Sequence, residues 1–354
     1  MEQNNLINNN NLKTNKGIIT KKEKLSGIIF TRACCSIGIV IFHYFCSSKG
    51  NFRFLFSTAN SSYGFIFVTS FFCISGTVLY YNYPKIKSLK NFYFKRWKSI
   101  FPSYYICFLY FFLMNSFRLH KLFYNGHWSK LFLTLAGLDG YLFYRIKTYY
   151  LVGAWFIGAI IIIYILYPLL LLMTKNNIII NNIIIAFFYI LMYKTNFFII
   201  SKERNIITCI TSFYLGMEAI RFKNIFFNNK ISFIIFLFIF LTLRIIKVSP
   251  FILIFQIQGF SLFIILNQIG KYVMKSKLKI IFSEISKLSY NIFLFHHKII
   301  HDVLGLINPI EFYFHILLLL ITFTLTFISS KIHFEVVNYI IQSFIFKKIE
   351  SIFI

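Results

Sequence analysis

The chain has 354 residues, of which 58% are hydrophobic, 21% aromatic and only 13% charged. A soluble domain carries about a quarter charged residues, so this composition excludes an ordinary water-soluble fold. The formal charge of +27 does not point to nucleic acid, because the basic residues fall in short segments between apolar blocks and not along one exposed face.

The apolar blocks are continuous, as in 231–243 and 312–328. Runs of this kind fit helices crossing a hydrocarbon layer about 30 Å thick, where backbone groups must bond within their own segment. Barrel strands would alternate instead. Residues 1–26 are polar and Asn-rich and lead into the first apolar block with no small-residue cleavage site, which reads as an uncleaved cytoplasmic tail. Ten spans follow, at 27–46, 63–83, 99–117, 149–173, 178–193, 206–220, 231–247, 251–269, 285–303 and 311–331. The expected fold class is an all-α integral membrane protein of about ten transmembrane helices, both termini cytoplasmic. Segment 118–148 is long for a loop and contains LFLTLAGLDGYLF, suited to the membrane interface or to dipping into the protein. Residues 332–354 read as an amphipathic tail on a membrane face, outside the membrane domain at 27–331. No inverted internal repeat of the transporter kind is found.

Orientation follows from the lysines and arginines. With the N-terminus inside, the inner segments hold 22 of the 37 basic residues and the outer ones 12, the excess expected of cytoplasmic loops. All six cysteines (Cys34, Cys35, Cys46, Cys73, Cys107 and Cys209) lie in or beside apolar segments, and none forms a CxxC pair. They read as small buried hydrophobes, not disulfides or metal ligands.

The first span holds two ionisable residues in the stretch TRACCSIGIVIFH. Eleven residues at 100° each bring Arg32 and His43 to within about 20° of one another on the helix surface, roughly 16 Å apart along its axis. An arginine within a span costs at least about 2.5 kcal/mol on insertion scales, so it either snorkels to the headgroups or serves a polar cavity. At a cytoplasmic mouth Arg32 suits phosphate oxygens. A histidine deeper in suits proton abstraction from an alcohol. A donor with phosphates at one end and a reactive group at the other, such as an acyl-CoA, would span the two. The alternative is that His43 only hydrogen-bonds a neighbouring helix.

This arginine, ten residues and histidine resemble the first span of the membrane acyltransferase 3 family. Four further stretches resemble family segments in the right order: FFCISGTVLYY (71–81), FKRWKSIFPSYY (94–105), AWFIGAIIIIYILYPLL (154–170) and LSYNIFLFHH (288–297). The resemblance covers most of residues 27–330. It implies transfer of an acyl group, usually acetyl, from cytoplasmic acyl-CoA to a hydroxyl of an envelope glycan or lipid-linked sugar, in a multi-pass protein of the bacterial inner membrane. By the same resemblance His43 and Arg32 are the paired catalytic residues, with His43 as base or acyl carrier and Arg32 placing the donor. Lys95, Arg96 and Lys98 would join Arg32 in binding donor phosphates, although the basic cluster also fits a topology signal alone. Two departures stand out. Ser99 occupies a position where the family usually has a second arginine. Ile160 stands where many members, especially those with an esterase-like domain, carry a glutamate. This places the chain with the stand-alone branch.

Other residues read more plainly. Ser75 and Gly76 suit close helix approach, and Trp155 and Tyr164 suit packing or the interface. His296 matches the family's late histidine, while His297 replaces its usual proline. His301 with Asp302 could be a base and its orienting partner, or simply solvated. His120 and His127 have no metal-ligand companions at a telling spacing, and no metal is expected. A transporter, flippase or polymerase acting on lipid-linked sugars is the main alternative, with Arg32 and Arg244 lining a phosphate path. A membrane scaffold is a third.

Overall fold

The structure, a computed structural model, describes residues 25–49, 61–124, 126–146, 155–175, 177–195, 200–245 and 252–343, with a few isolated positions besides. The predicted N-terminal tail and the end of the C-terminal tail lie almost wholly outside the described residues. Among the described residues, ten helices of 16 or more residues form: α1 (Ser26–Ser47), α2 (Tyr63–Asn82), α3 (Leu89–Arg118), α4 (Trp155–Met173), α5 (Ile178–Lys194), α6 (Ile206–Arg221), α7 (Lys230–Ile245), α8 (Ile252–Val273), α9 (Lys279–Leu306) and α10 (Phe312–Gln342). Each falls on one predicted span. Six of them (α1, α2, α3, α4, α8 and α10) are long and apolar enough to cross a membrane by themselves, and the chain is a multi-pass helical membrane protein.

Small residues bring the central helices together. A methyl group at Gly76 of α2 would overlap the Phe213 carbonyl on α6, and one at Gly216 would overlap the Cys73 carbonyl in return. Such close approach is how helices gain packing energy where lipid is as apolar as the side chains. Thr77 Oγ1 then donates to the Gly216 carbonyl at 2.7 Å, and Cys73 Sγ to the Ser212 carbonyl at 3.1 Å. All six cysteines are free. Helix α1 packs on α2, α8 and α9, which places its Arg–His face against the interior. Helix α7 lies outside this core, with only Ser232 buried.

Two regions differ from the sequence reading. Helix α3 starts at Leu89, ten residues before the predicted edge, with the Ser88 side chain accepting from the Asn91 amide as its N-cap. The basic cluster 95–98 is therefore on a helix and not in a loop. Hydropathy missed this because lysines mark the start and Pro102 sits inside the helix. Helix α10 continues to Gln342, so residues 332–342 extend a span instead of forming a separate tail. A polar node holds that extension. Ser103 Oγ of α3 donates to Asn291 Oδ1 of α9 at 2.8 Å and lies 3.0 Å from His333 Nε2 of α10. Segment 118–148 folds back into the protein, one of the two placements expected for it. The carboxylate of Asp139, which is buried, accepts from Tyr104 Oη of α3 and from the Gly140 amide, both at 2.8 Å. Burial pushes this carboxyl above the usual carboxylate range, against the opposing effect of those hydrogen bonds.

Candidate active site: a two-arginine cavity beside a histidine cluster

Helices α1 and α3 run in the same sense through the alternating bundle. Arg32 and Arg96 come six and seven residues after their starts, so both lie about 10 Å in from the same end. Their side chains line one cavity of about 340 Å³ between α1, α2, α3, α4 and α9. Its other polar groups come from Ser75, Ser99, Tyr164, Ser289 and Tyr290. On α9, Ser289, Tyr290, Phe293, His296 and His297 recur at helical spacing and share one face.

The electrostatics of this cavity are one-sided. Arg96 Nη2 donates to Tyr83 Oη at 3.4 Å, and the guanidinium lies over the Tyr83 ring at 5.1 Å and the Tyr164 ring at 5.8 Å. Its Nε is buried with no hydrogen-bond partner. Tyr164 interacts with both arginines and with Ser75. Neither guanidinium pairs with a carboxylate among the described residues. Two uncompensated cations behind apolar walls favour an anionic ligand, since burying them without one is costly.

The basic cluster divides. Arg96 joins Arg32, whereas Lys95 is exposed and Lys98 half-buried, and neither lines the cavity. Ser99 does line it, with its hydroxyl donating to the Arg96 carbonyl at 2.8 Å. Ile160 also faces the cavity, where the family glutamate would put a charge.

His43 sits beyond the cavity's far end. The lining on α1 stops at Ile39, one turn before His43, and the aromatic rings of Phe156 and Phe293 pack 5.4 Å apart there. The His43 ring lies 4.0 Å from the His297 ring and 5.2 Å from the His296 ring, centre to centre. Phe293 joins the two compartments, its ring centre 5.9 Å from that of His296. Arg32 and His43 thus occupy one face of an unbroken helix, with the Phe156–Phe293 pair lining the cavity and reaching His296.

The remaining candidates fall elsewhere. Gly76 packs against α6 while Ser75 faces the cavity. Trp155 lies under the Arg204 guanidinium at 5.9 Å. His301 and Asp302 are exposed, and Asp302 pairs with Lys298. His120 and His127 lie in segment 118–148, where His127 contacts Ser129. The sequence reading did not single out Phe156, Ser289, Tyr290 or Phe293. The last three stand in the quoted late motif, and their spacing relative to His296 was the available signal.

A bundle of apolar helices around a cation-lined cavity makes this a membrane protein with an internal cavity. The chain belongs to the membrane acyltransferase 3 family: the family model described as an acyltransferase domain matches residues 25–331. It is accordingly a membrane acyltransferase. Neither a curated protein nor a solved structure matches the chain.

Proposed function

We propose that this protein transfers an acyl group, acetyl in the first instance, from cytoplasmic acyl-CoA to a hydroxyl of an envelope glycan or lipid-linked sugar in a bacterial inner membrane. The observation that carries the reading is the convergence of Arg32 and Arg96 on one cavity with no carboxylate among the described residues paired with either. Guanidinium forks suit the phosphates and polar arm of the donor. Tyr164, Ser75 and Ser289 supply hydrogen bonds to the neutral stretch that follows.

In this mechanism the thioester end of the donor points toward Ile39 and Phe293. His43 removes the proton of the acceptor hydroxyl as that oxygen adds to the thioester carbonyl. The carbon–sulfur bond then breaks, and the departing CoA thiolate takes the proton from the imidazolium. His43 as a transient acyl carrier would use the same position. Phe293 lines the cavity and touches His296, so in this mechanism the reacting carbonyl reaches His43 past the Phe293 side chain. The acceptor approaches from the opposite end of α1, where segment 118–148 offers aromatic and polar groups.

The test is direct. Wild-type protein in detergent binds acetyl-CoA, and Arg32→Ala loses that binding. No binding by wild type would favour transport of a phosphorylated lipid. Deleting the gene and measuring acetyl esters on surface glycans then identifies the acceptor, and unchanged esters would remove the glycan assignment.

A further inference from the structure

His43, His296 and His297 form the one group of three potential metal ligands among the described residues, with one ring nitrogen from each lying within 4.8 Å of the others. Two of them come from consecutive positions on α9, and the third lies 253 residues away on α1. Only the packing of α1 on α9 brings them together.

The hydrogen bonding of His296 sets its chemistry. Its Nδ1 faces the carbonyls of Phe293 at 2.8 Å and Ile292 at 3.1 Å. Carbonyls only accept, so Nδ1 carries the hydrogen and Nε2 holds a bare lone pair. That Nε2 is fully buried and has no hydrogen-bond partner. An unmet acceptor in such a place is unfavourable unless something fills it. A ring fixed by an Nδ1–H to carbonyl bond, with Nε2 free, is also how metal-binding histidines are oriented.

We propose that these three imidazoles bind a divalent transition ion of the zinc class, with an open fourth position. Imidazole suits zinc, copper and nickel. Zinc–nitrogen distances near 2.0 Å require ligand nitrogens about 3.3 Å apart in a tetrahedron. The cluster closes to that spacing by rotation of His43 and of His297, whose side chain is exposed. His43 stands four residues before the end of α1, about 6 Å from it, so the ion has a short way in. Arg204 lies near enough to His43 to interact with it. Its charge opposes a bare cation and favours an anionic fourth ligand, which limits affinity to the micromolar range. Metal binding uses the His43 lone pair that proton abstraction needs, so an occupied site blocks transfer. That last consequence rests on the proposed function; the binding itself does not.

The experiment uses full-length, tag-free protein in detergent, titrated with Zn²⁺ alone by calorimetry. The expected result is one ion per chain, with affinity lowered at least about tenfold in His297→Phe and in His43→Ala and unchanged in His301→Ala. Co²⁺ bound to wild type should show the visible absorption of a four-coordinate site, and His297→Phe should not. His297→Phe keeps an aromatic ring at the contact with His43 and His296, and a melting temperature equal to wild type shows that it folds. Absence of stoichiometric binding, or equal binding in His297→Phe, overturns the proposal. In a transfer assay Zn²⁺ should inhibit wild type, with EDTA restoring the rate and His297→Phe escaping. Binding without any transferase activity would sink the proposed function and leave the metal site standing.

Discussion

The two halves of α1 present the same helix face to different surroundings. In the first half, Arg32 shares a cavity with Arg96, and no carboxylate among the described residues pairs with either charge. In the second half, His43 meets two more imidazoles, one of which touches the Phe156–Phe293 pair. One end offers two guanidinium groups, the other three imidazoles. The guanidinium groups stay charged at every physiological pH, whereas imidazole can be neutral or charged. Under the proposed function the division puts binding and chemistry in separate compartments on one helix, with Phe293 bordering both.

Variants can break or sharpen this contrast. The largest effect should come from His43→Ala, which is expected to lower the transfer rate by about 10²–10⁴-fold, the usual contribution of a general base. Donor binding and membrane insertion should be unchanged, as measured by acetyl-CoA calorimetry and membrane fractionation. A variant that transfers at the normal rate would dissolve the distinction between the two ends. Next, Arg32→Ala should weaken acetyl-CoA binding about 10–100-fold, the range for losing a charged hydrogen bond. Arg96→Ala should show the same sign, and equal affinity in both variants and wild type would remove the donor from this cavity. Phe293→Ala addresses the border between the compartments. Opening it should raise turnover of butyryl-CoA relative to acetyl-CoA by roughly tenfold, since one or two methylenes in an apolar pocket are worth about that. A fixed ratio would place the acyl group elsewhere.

The smallest expected effect lies outside both compartments. Burial raises the Asp139 carboxyl, so the folded protein holds that proton more readily than the unfolded chain does. On this residue's account stability rises as pH falls from neutral toward about 4, the reverse of a paired carboxylate. Asp139→Asn should flatten that slope in melting curves at pH 5 and pH 7 and leave donor binding unaltered. An unchanged slope would mean that the hydrogen bonds from Tyr104 and Gly140 offset the burial.

Much of this was legible in the residues. Continuous apolar blocks dictate helices in lipid, because no other backbone arrangement satisfies its own hydrogen bonds there except a closed barrel. Each predicted span accordingly holds a helix. The spacing of Arg32 and His43 fixed their common face through the 3.6-residue period alone. Edges were less legible. Lysines near Leu89 and polar residues after Ser330 lower local hydropathy, yet α3 and α10 continue through them because Ser88 caps one and the Ser103–Asn291–His333 node holds the other.

Tertiary packing alone decided which of the basic residues turn inward. Lys95, Arg96 and Lys98 are indistinguishable as a charge cluster, and only the rotation of α3 against α1 and α4 puts Arg96 into the cavity. The histidine cluster was equally hidden, since no local spacing links His43 to residues 253 positions later. A sequence determines what happens along a single helix, because those geometries repeat every few residues. Contacts between helices depend on how glycines such as Gly76 and Gly216 let neighbouring backbones approach, and that is settled only when the bundle assembles.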